Sequence, residues 1–491
     1  MTTRAMTVLQ EYDSYGIVGL LLSLLVAGIV SWWSLCADAV GTKLPVLNGK
    51  RRWEFTKKNL HHRFASEAAK ILQQGFQEQN GPFQLMSDIG AITILRPEHA
   101  TMIQNEKRLS FPAWSLKQFP PWISGFEAFT AASGEIVHAT IKKDMTSSID
   151  QLARPLSDQI NATLQGLWGN DTTWHPIPTK HDVRKVISGA NALALVGPSL
   201  CADKDWRRVS EEFATLAFLA ASDLRKWPAV LQPLVQWLLP SCRTLRRTCA
   251  EARAMIARTQ TEREAGAAGG QQLDVAMALL SLSLTGIHTT TDMVTQLIYD
   301  LSARPDLVRE LREEARSVLQ DHNGHFSKAS LYKLRLLDSV LKESQRLKPF
   351  GLVELKRLAL EDVTLPDNTR IPKNTLVAVS TQRMTDAQCY PDPATFDGHR
   401  FLKLRQQRDQ SENAHQFAST SPDHLGFGLG IHSCPGRFLA AAMVKIAVCH
   451  IILHYDLRIS DPPRTVDSGI ARLADPECRI LVRRRQEVIR I

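Results

Sequence analysis

Several common features are missing from this sequence, and each absence excludes a class of protein. The eight cysteines include no CxxC and no paired spacing. In a chain of 491 residues, a disulfide framework is therefore not expected, and reduced thiols in a cytosol-facing body are. No long run of one charge sign occurs, and no basic stripe is interleaved with aromatics. The formal net charge of +9 thus does not read as a nucleic-acid surface, and suits proximity to anionic lipid or an acidic partner. There is no internal repeat and no low-complexity linker. With 44% hydrophobic and 22% charged residues, the chain has the composition of a folded globular protein.

One long apolar run is present. Residues Gly16 to Trp33 carry no charge, and 18 residues reach the lower limit for crossing a bilayer as a helix. Tyr12 and Tyr15 flank one end, and Trp32 and Trp33 close the other, where an aromatic belt belongs. Arg4, Glu11 and Asp13 precede the run, whereas Lys43, Lys50, Arg51, Arg52, Lys57, Lys58 and Arg63 follow it. The positive-inside rule then puts the body in the cytosol. The alternative is a cleaved signal peptide, with Ala37-Asp38-Ala39 as the cleavage-like site; the missing basic start and the length of the run favour an anchor. Asn161-Ala162-Thr163 and Asn170-Asp171-Thr172 match glycosylation sequons, a pattern frequent by chance.

The body reads as mainly α with a minor β region. A helical pattern runs from about Phe55 to Gln79, a strand pair from Phe83 to Leu95, and long helical patterns from about Gly134 to Lys348. Short strands follow from Leu352 to Val379, a helix begins just after Cys434, and Arg479 to Ile491 reads as strand. Gly266 to Gly270 is a short flexible loop.

Three segments carry chemistry. The first is the run from Phe427 to Arg437, FGLGIHSCPGR. Glycines at 428, 430 and 436 permit unusual dihedrals and a close approach to a flat cofactor. Cys434 stands just before a helix, where the dipole and free amides favour a thiolate. The second is Glu343-Ser344-Gln345-Arg346 within an amphipathic pattern from Leu331 to Lys348, a spacing that puts acid and guanidinium on one helix face. The third is Thr285-Gly286-Ile287-His288-Thr289-Thr290, in the middle of a long apolar helix from Leu273 to Ala303. Glycine and consecutive threonines are unfavourable there, and a broken rule within a good helix often marks a site.

Together these segments resemble the cytochrome P450 family. The cysteine loop matches its haem-binding signature, the Glu343–Arg346 pair its E-x-x-R helix, and Thr285 to Thr290 its oxygen-binding helix. The resemblance runs over nearly the whole chain in the right order. It implies the cytochrome P450 fold preceded by one N-terminal transmembrane helix. It also implies haem b with Cys434 as axial ligand, a thiolate that favours O–O cleavage, and Phe427, Gly430 and Gly436 shaping the loop. His432 and Arg357 are then expected at the haem propionates. Glu343, Arg346 and Arg400 are expected to support the pocket. Thr289 is expected to donate a hydrogen bond to bound dioxygen and to help relay protons, with a kinked helix turn over the iron. His288 replaces the acid usual before that threonine, so the proton path differs from the commonest one.

Ile287 to Thr290, Tyr299-Asp300-Leu301, Lys342 to Pro349 and Cys434 to Phe438 resemble fungal members that oxidise terpenoids, indole diterpenes and alkaloids. The implied partners are an NADPH-cytochrome P450 reductase, a small lipophilic substrate and membrane lipid, with no nucleic acid, at the endoplasmic reticulum. Phe111 to Phe129 and Phe350 to Leu355 are candidate pocket walls; both segments could equally be core. A redox-neutral isomerase or dehydratase, or a non-catalytic haem carrier, are the competing functions, and Thr289 argues against them.

Overall fold

The computed structural model describes residues 44–261, 274–407 and 413–486 except 55 and 133, together with residues 23 and 28. The expected anchor at 16–33 lies outside the described residues apart from Ser23 and Gly28, as does the 266–270 loop.

The elements follow the hydrophobic periodicity closely. In chain order they are β1 (Val46–Leu47), α1 (Lys58–Glu78), β2 (Phe83–Ser87), β3 (Gly90–Leu95), α2 (His99–Ile103), β4 (Leu109–Ser110), α3 (Phe111–Gln118), α4 (Glu127–Ala132) and α5 (Glu135–Thr140). A π-helical turn, Ile141–Met145, continues α5. Then come α6 (Ile149–Trp168), β5 (His175–Ile177), α7 (Thr179–Ala202), α8 (Lys204–Arg225), α9 (Gln232–Val235), α10 (Pro240–Thr261), α11 (Val275–Ser302), α12 (Pro305–Gln320), α13 (Lys328–Lys333) and α14 (Arg335–Leu347). The rest are β6 (Val353–Ala359), β7 (Val363–Thr364), β8 (Arg370–Ile371), β9 (Leu376–Ser380), α15 (Arg400–Arg405), α16 (Arg437–His454), β10 (Tyr455–Ile459), β11 (Val466–Ser468), β12 (Ala471–Leu473) and β13 (Ile480–Arg484).

Helices make the main layer. A core drawn from α6, α7, α8, α10, α11, α14 and α16 is buried as one cluster. The main sheet has the order β1-β2-β3-β9-β6-β4 and packs its own smaller core against α1. Among the described residues, α7 and α16 are long and apolar enough to cross a membrane, yet both are mostly buried inside the body.

Two expectations need correction. The single helix read from Leu331 to Lys348 is two helices, because Leu334 takes ψ 71° and breaks the run. The short strand β5 interrupts the helical stretch between 134 and 348 and pairs with β13. Of the two readings left open for Phe111 to Phe129, Trp114, Phe119, Phe126 and Phe129 fit the core, with Phe119 and Phe129 stacked at 3.9 Å between centroids, whereas Phe111 and Trp122 are exposed.

Candidate functional site

The cysteine loop is built by two left-handed glycines. Gly428 and Gly430 have φ +70° and +73°, values that only glycine adopts without strain. A Cβ on Gly430 would run into the carbonyl of Gln104, which accepts the Ile431 amide at 3.1 Å. Gly436 departs from the expectation. Its φ is −88° as the cap residue of α16, and a Cβ there would meet only Ile141 at 3.6 Å. The loop closes on itself where the Cys434 amide donates to the Phe427 carbonyl at 2.9 Å. Phe427 in turn sits edge-on to Phe417 at 5.1 Å.

The Cys434 thiol is pushed up by burial, and the Gly436 amide and Arg437 only partly oppose this. The Gly436 amide, at the start of α16, acts in the direction expected of a helix terminus. A metal ion bound at Sγ would favour the thiolate there against burial.

Arg357 supplies the second half of the site. It lies on β6 with 2% of its surface exposed. Its Nη1 donates to the Lys356 carbonyl at 2.8 Å, while Nε and Nη2 are buried without partners. Burial lowers its pKa to about 10, with Glu354 pulling the other way. Beside it stands His432, whose pKa falls to about 4 through burial and then through the Arg357 charge. Buried guanidinium nitrogens are rarely left unpaired, so this corner is made for an anion. A cofactor carrying carboxylates next to a metal that takes a thiolate fits the donor set: haem satisfies both demands.

The α5 helix adds a residue that the motifs did not reveal. His138 is near enough to His432 to depress its pKa, and is itself lowered by burial and then by Lys142. The only sequence signal was the His138–Lys142 spacing of four on one helix face.

Glu343, Arg346 and Arg400 come together as expected, but more deeply than such pairs usually lie. Glu343 and Arg346 side chains are both 0% exposed. Arg346 meets the carboxylate with two hydrogen bonds of 2.8 Å, and its Nη1 donates to the Met384 and Pro393 carbonyls. Arg400 Nε reaches both carboxylate oxygens at 3.1 Å. The Asp397 amide donates to Glu343 at 3.0 Å. The N-terminal amides of α14, Leu336 and Leu337, donate to the Glu314 carboxylate at 2.6 and 2.9 Å, which caps a helix lacking a side-chain cap of its own.

On α11 the two expected catalytic residues diverge. Thr285 and Thr289 are exposed on a helix whose other faces are packed. The Thr289 hydroxyl donates to the Thr285 carbonyl at 2.7 Å. Its proton is thus committed to the helix, and its free capacity is as an acceptor, the reverse of the expected polarity. The helix is continuous from Val275 to Ser302, with no residue in non-helical φ/ψ. His288 has its pKa lowered by burial, then by Arg184 and Lys180 of α7, and its Nε2 is buried unpaired. It faces α7 charges, not the strip formed by Thr285 and Thr289.

A separate cavity of about 640 Å³, lined in part by Lys342, Tyr390, Phe401, His415, Arg437 and Phe438, touches none of Thr289, Arg357 or His432. It is not the reactive side.

Comparison with known proteins bears on the family and the fold. The family profile described as Cytochrome P450 matches residues 199–478. A protein of Aspergillus fumigatus named cytochrome P450 monooxygenase easM is 38% identical, over 94% of this chain and 93% of its own. One of Penicillium rubens, cytochrome P450 monooxygenase adrA, is 35% identical over 100% of both. Among solved structures, retinoic acid-bound cyanobacterial CYP120A1 superposes with a TM-score of 0.65 at 15% identity, covering 90% of this chain and 99% of that one.

Proposed function

The chain belongs to the cytochrome P450 family, an oxidoreductase of the monooxygenase class, and on that premise we propose that it oxidises a lipophilic polycyclic substrate, a terpenoid or related fungal secondary-metabolite intermediate. Cys434 would hold haem b, which would supply the oxygen chemistry: one atom of O2 to the substrate and the other to water, with two electrons from NADPH through a reductase. The observation that carries this reading is the buried, half-unpaired Arg357 beside His432, two residues from Cys434.

The chain's own groups divide the remaining work. Arg357, His432 and His138 hold the cofactor's carboxylates. Phe427, Gly430 and Gly436 shape the loop around the thiol. Glu343, Arg346 and Arg400 tie α14 to the segment from Met384 to Arg400. Thr289 offers an acceptor on the open strip of α11, and a water donating to it completes proton delivery. His288, turned toward Arg184 and Lys180 of α7, lies off that strip.

The membrane arrangement belongs to the same proposal: residues 1–15 lumenal, 16–33 spanning the endoplasmic reticulum membrane, 34–54 a basic linker, and 55–491 the cytosolic haem-thiolate body. Trp122, Trp227, Val230, Leu234, Trp237 and Leu238 are exposed around α9. Arg246 lies over the Trp237 ring at 4.4 Å. Aromatic, aliphatic and cationic groups so mixed suit a lipid interface. Arg225 is paired to Asp88 in the β2–β3 turn, and β1, near the start of the described body, pairs with β2. From Trp33 to Leu44 the chain reaches at most about 40 Å, so the anchor and this corner can share one membrane.

The test is turnover with a fungal reductase, NADPH, labelled O2 and candidate terpenoids, read by mass spectrometry. A product gaining one labelled oxygen is expected. Product formed without NADPH and O2 would instead establish the redox-neutral reaction. Retention of the carbon-monoxide difference spectrum by Cys434→Ala would refute the ligand assignment.

A further inference from the structure

Strand β6 does more than present Arg357. Its pairing with β9 runs Val353 to Ser380 and Glu354 to Val379, then shifts before Arg357 meets Val377. Leu355, inside the shift, has φ +48°, a left-handed conformation that a branched side chain rarely adopts. Such bulges re-aim side chains and gather near sites. Here the bulge sends Arg357 to His432 and leaves Glu354 three residues earlier on the same wall.

The Glu354 carboxyl is unusual in its surroundings. It lies against Gly351, where a Cβ would collide with it. Gly351 is bridged to Ala471, so the β11–β12 hairpin stands beside it. Burial raises the Glu354 pKa, against the opposing pull of Lys356 and Arg357. Yet 24% of its side chain is accessible, which marks a recess within the body, not bulk water. Among the described residues, its one cation within 4 Å is Lys356 at 3.9 Å, beyond hydrogen-bond reach. Glu354 is also not the partner that Arg357 lacks, because Nε and Nη2 of Arg357 remain unpaired. A carboxyl with free lone pairs in a recess poor in water calls for a donor.

We propose that Glu354 orients the substrate: its carboxyl accepts a hydrogen bond from a hydroxyl or amine carried by an otherwise lipophilic molecule, fixing which carbon is offered for oxidation. This rests on the monooxygenase reading and deepens it by naming a polar handle on the substrate. The residue binds; it takes no part in the bond-making step.

The experiment uses the full-length holoenzyme and pairs of polycyclic terpenoids, each an alcohol and its O-methyl ether. Dissociation constants come from the substrate-induced spin-state difference spectrum. The wild type is expected to bind at least one alcohol about 10- to 100-fold more tightly than its ether. Glu354→Leu is expected to abolish that gap, while Glu354→Gln, which keeps an acceptor oxygen, retains most of it. Haem content and the carbon-monoxide spectrum should be unchanged in both variants. A wild type showing no preference for any alcohol, including one that binds none of the pairs, overturns the proposal. So does a gap that survives Glu354→Leu, or a loss of alcohol and ether binding in equal measure. Failure of the monooxygenase reading would appear separately, as absence of oxygenated product with the binding preference intact.

Discussion

Replacing Arg346 by leucine tests the buried ionic cluster most directly. The substitution removes both hydrogen bonds to Glu343 and the donors to the Met384 and Pro393 carbonyls. Glu343 stays buried with Arg400 and the Asp397 amide as its remaining partners. Removing one partner of a buried pair costs about 3–5 kcal/mol. For a chain of this size the unfolding entropy converts that to a fall in melting temperature of roughly 3–5 °C. The cluster ties α14 to the segment from Met384 to Arg400, so haem retention should fall as well. Arg346→Lys should recover only part of the loss, because an ammonium cannot make the bidentate contact and reach two carbonyls at once. The assay is thermal melting followed by circular dichroism, with haem content measured on the same samples. An Arg346→Leu protein melting within about 1 °C of wild type, with full haem content, would show that the cluster is not what holds this region together.

The other predictions address the anion corner, acid sensitivity and the membrane. Arg357→Leu should raise the melting temperature of haem-free protein by relieving a buried, half-paired cation, yet lower haem retention; a fall in both would mean that Arg357 is paired within the protein itself. His450 is fully buried, accepts or donates a 2.7 Å hydrogen bond with Ser157, and has its pKa lowered to about 3 by burial and then by His454 and Arg484. The unfolded chain then binds a proton that the folded one refuses between about pH 6.5 and about 3, so stability falls as pH drops through that window. His450→Gln should flatten this part of a urea-unfolding series, and an unchanged slope would refute the assignment. An environment-sensitive dye on Leu238→Cys should shift to the blue when full-length protein meets anionic vesicles, and a dye that stays in water would place the α9 corner away from the lipid.

The sequence by itself determined much of this protein. Hydrophobic patterning marked α1, whose one apolar face must be buried, and the β2–β3 pair, α11 and α16, whose apolar runs are buried nearly all round. The cysteine loop was equally legible: left-handed glycines are needed at 428 and 430 whatever packs nearby. The ordered spacing of Glu343, Arg346, Thr289 and Cys434 then indicated the family.

Tertiary structure alone decided the rest. Spacing allowed a Glu343–Arg346 pair, but only packing made it fully buried and gave it Arg400. Nothing local distinguishes His288 from Thr289 as a neighbour of the open strip of α11; the placement of Arg184 and Lys180 on α7 does. The polarity of the Thr289 hydroxyl, by contrast, follows from an unbroken helix, which offers the Thr285 carbonyl. His138 and Glu354 carried no motif, and each became visible when distant strands and helices put it beside His432 or into a recess. Local chemistry sets which residues can serve, and for Thr289 it sets hydrogen-bond polarity as well, whereas charge and desolvation depend on neighbours distant in the chain.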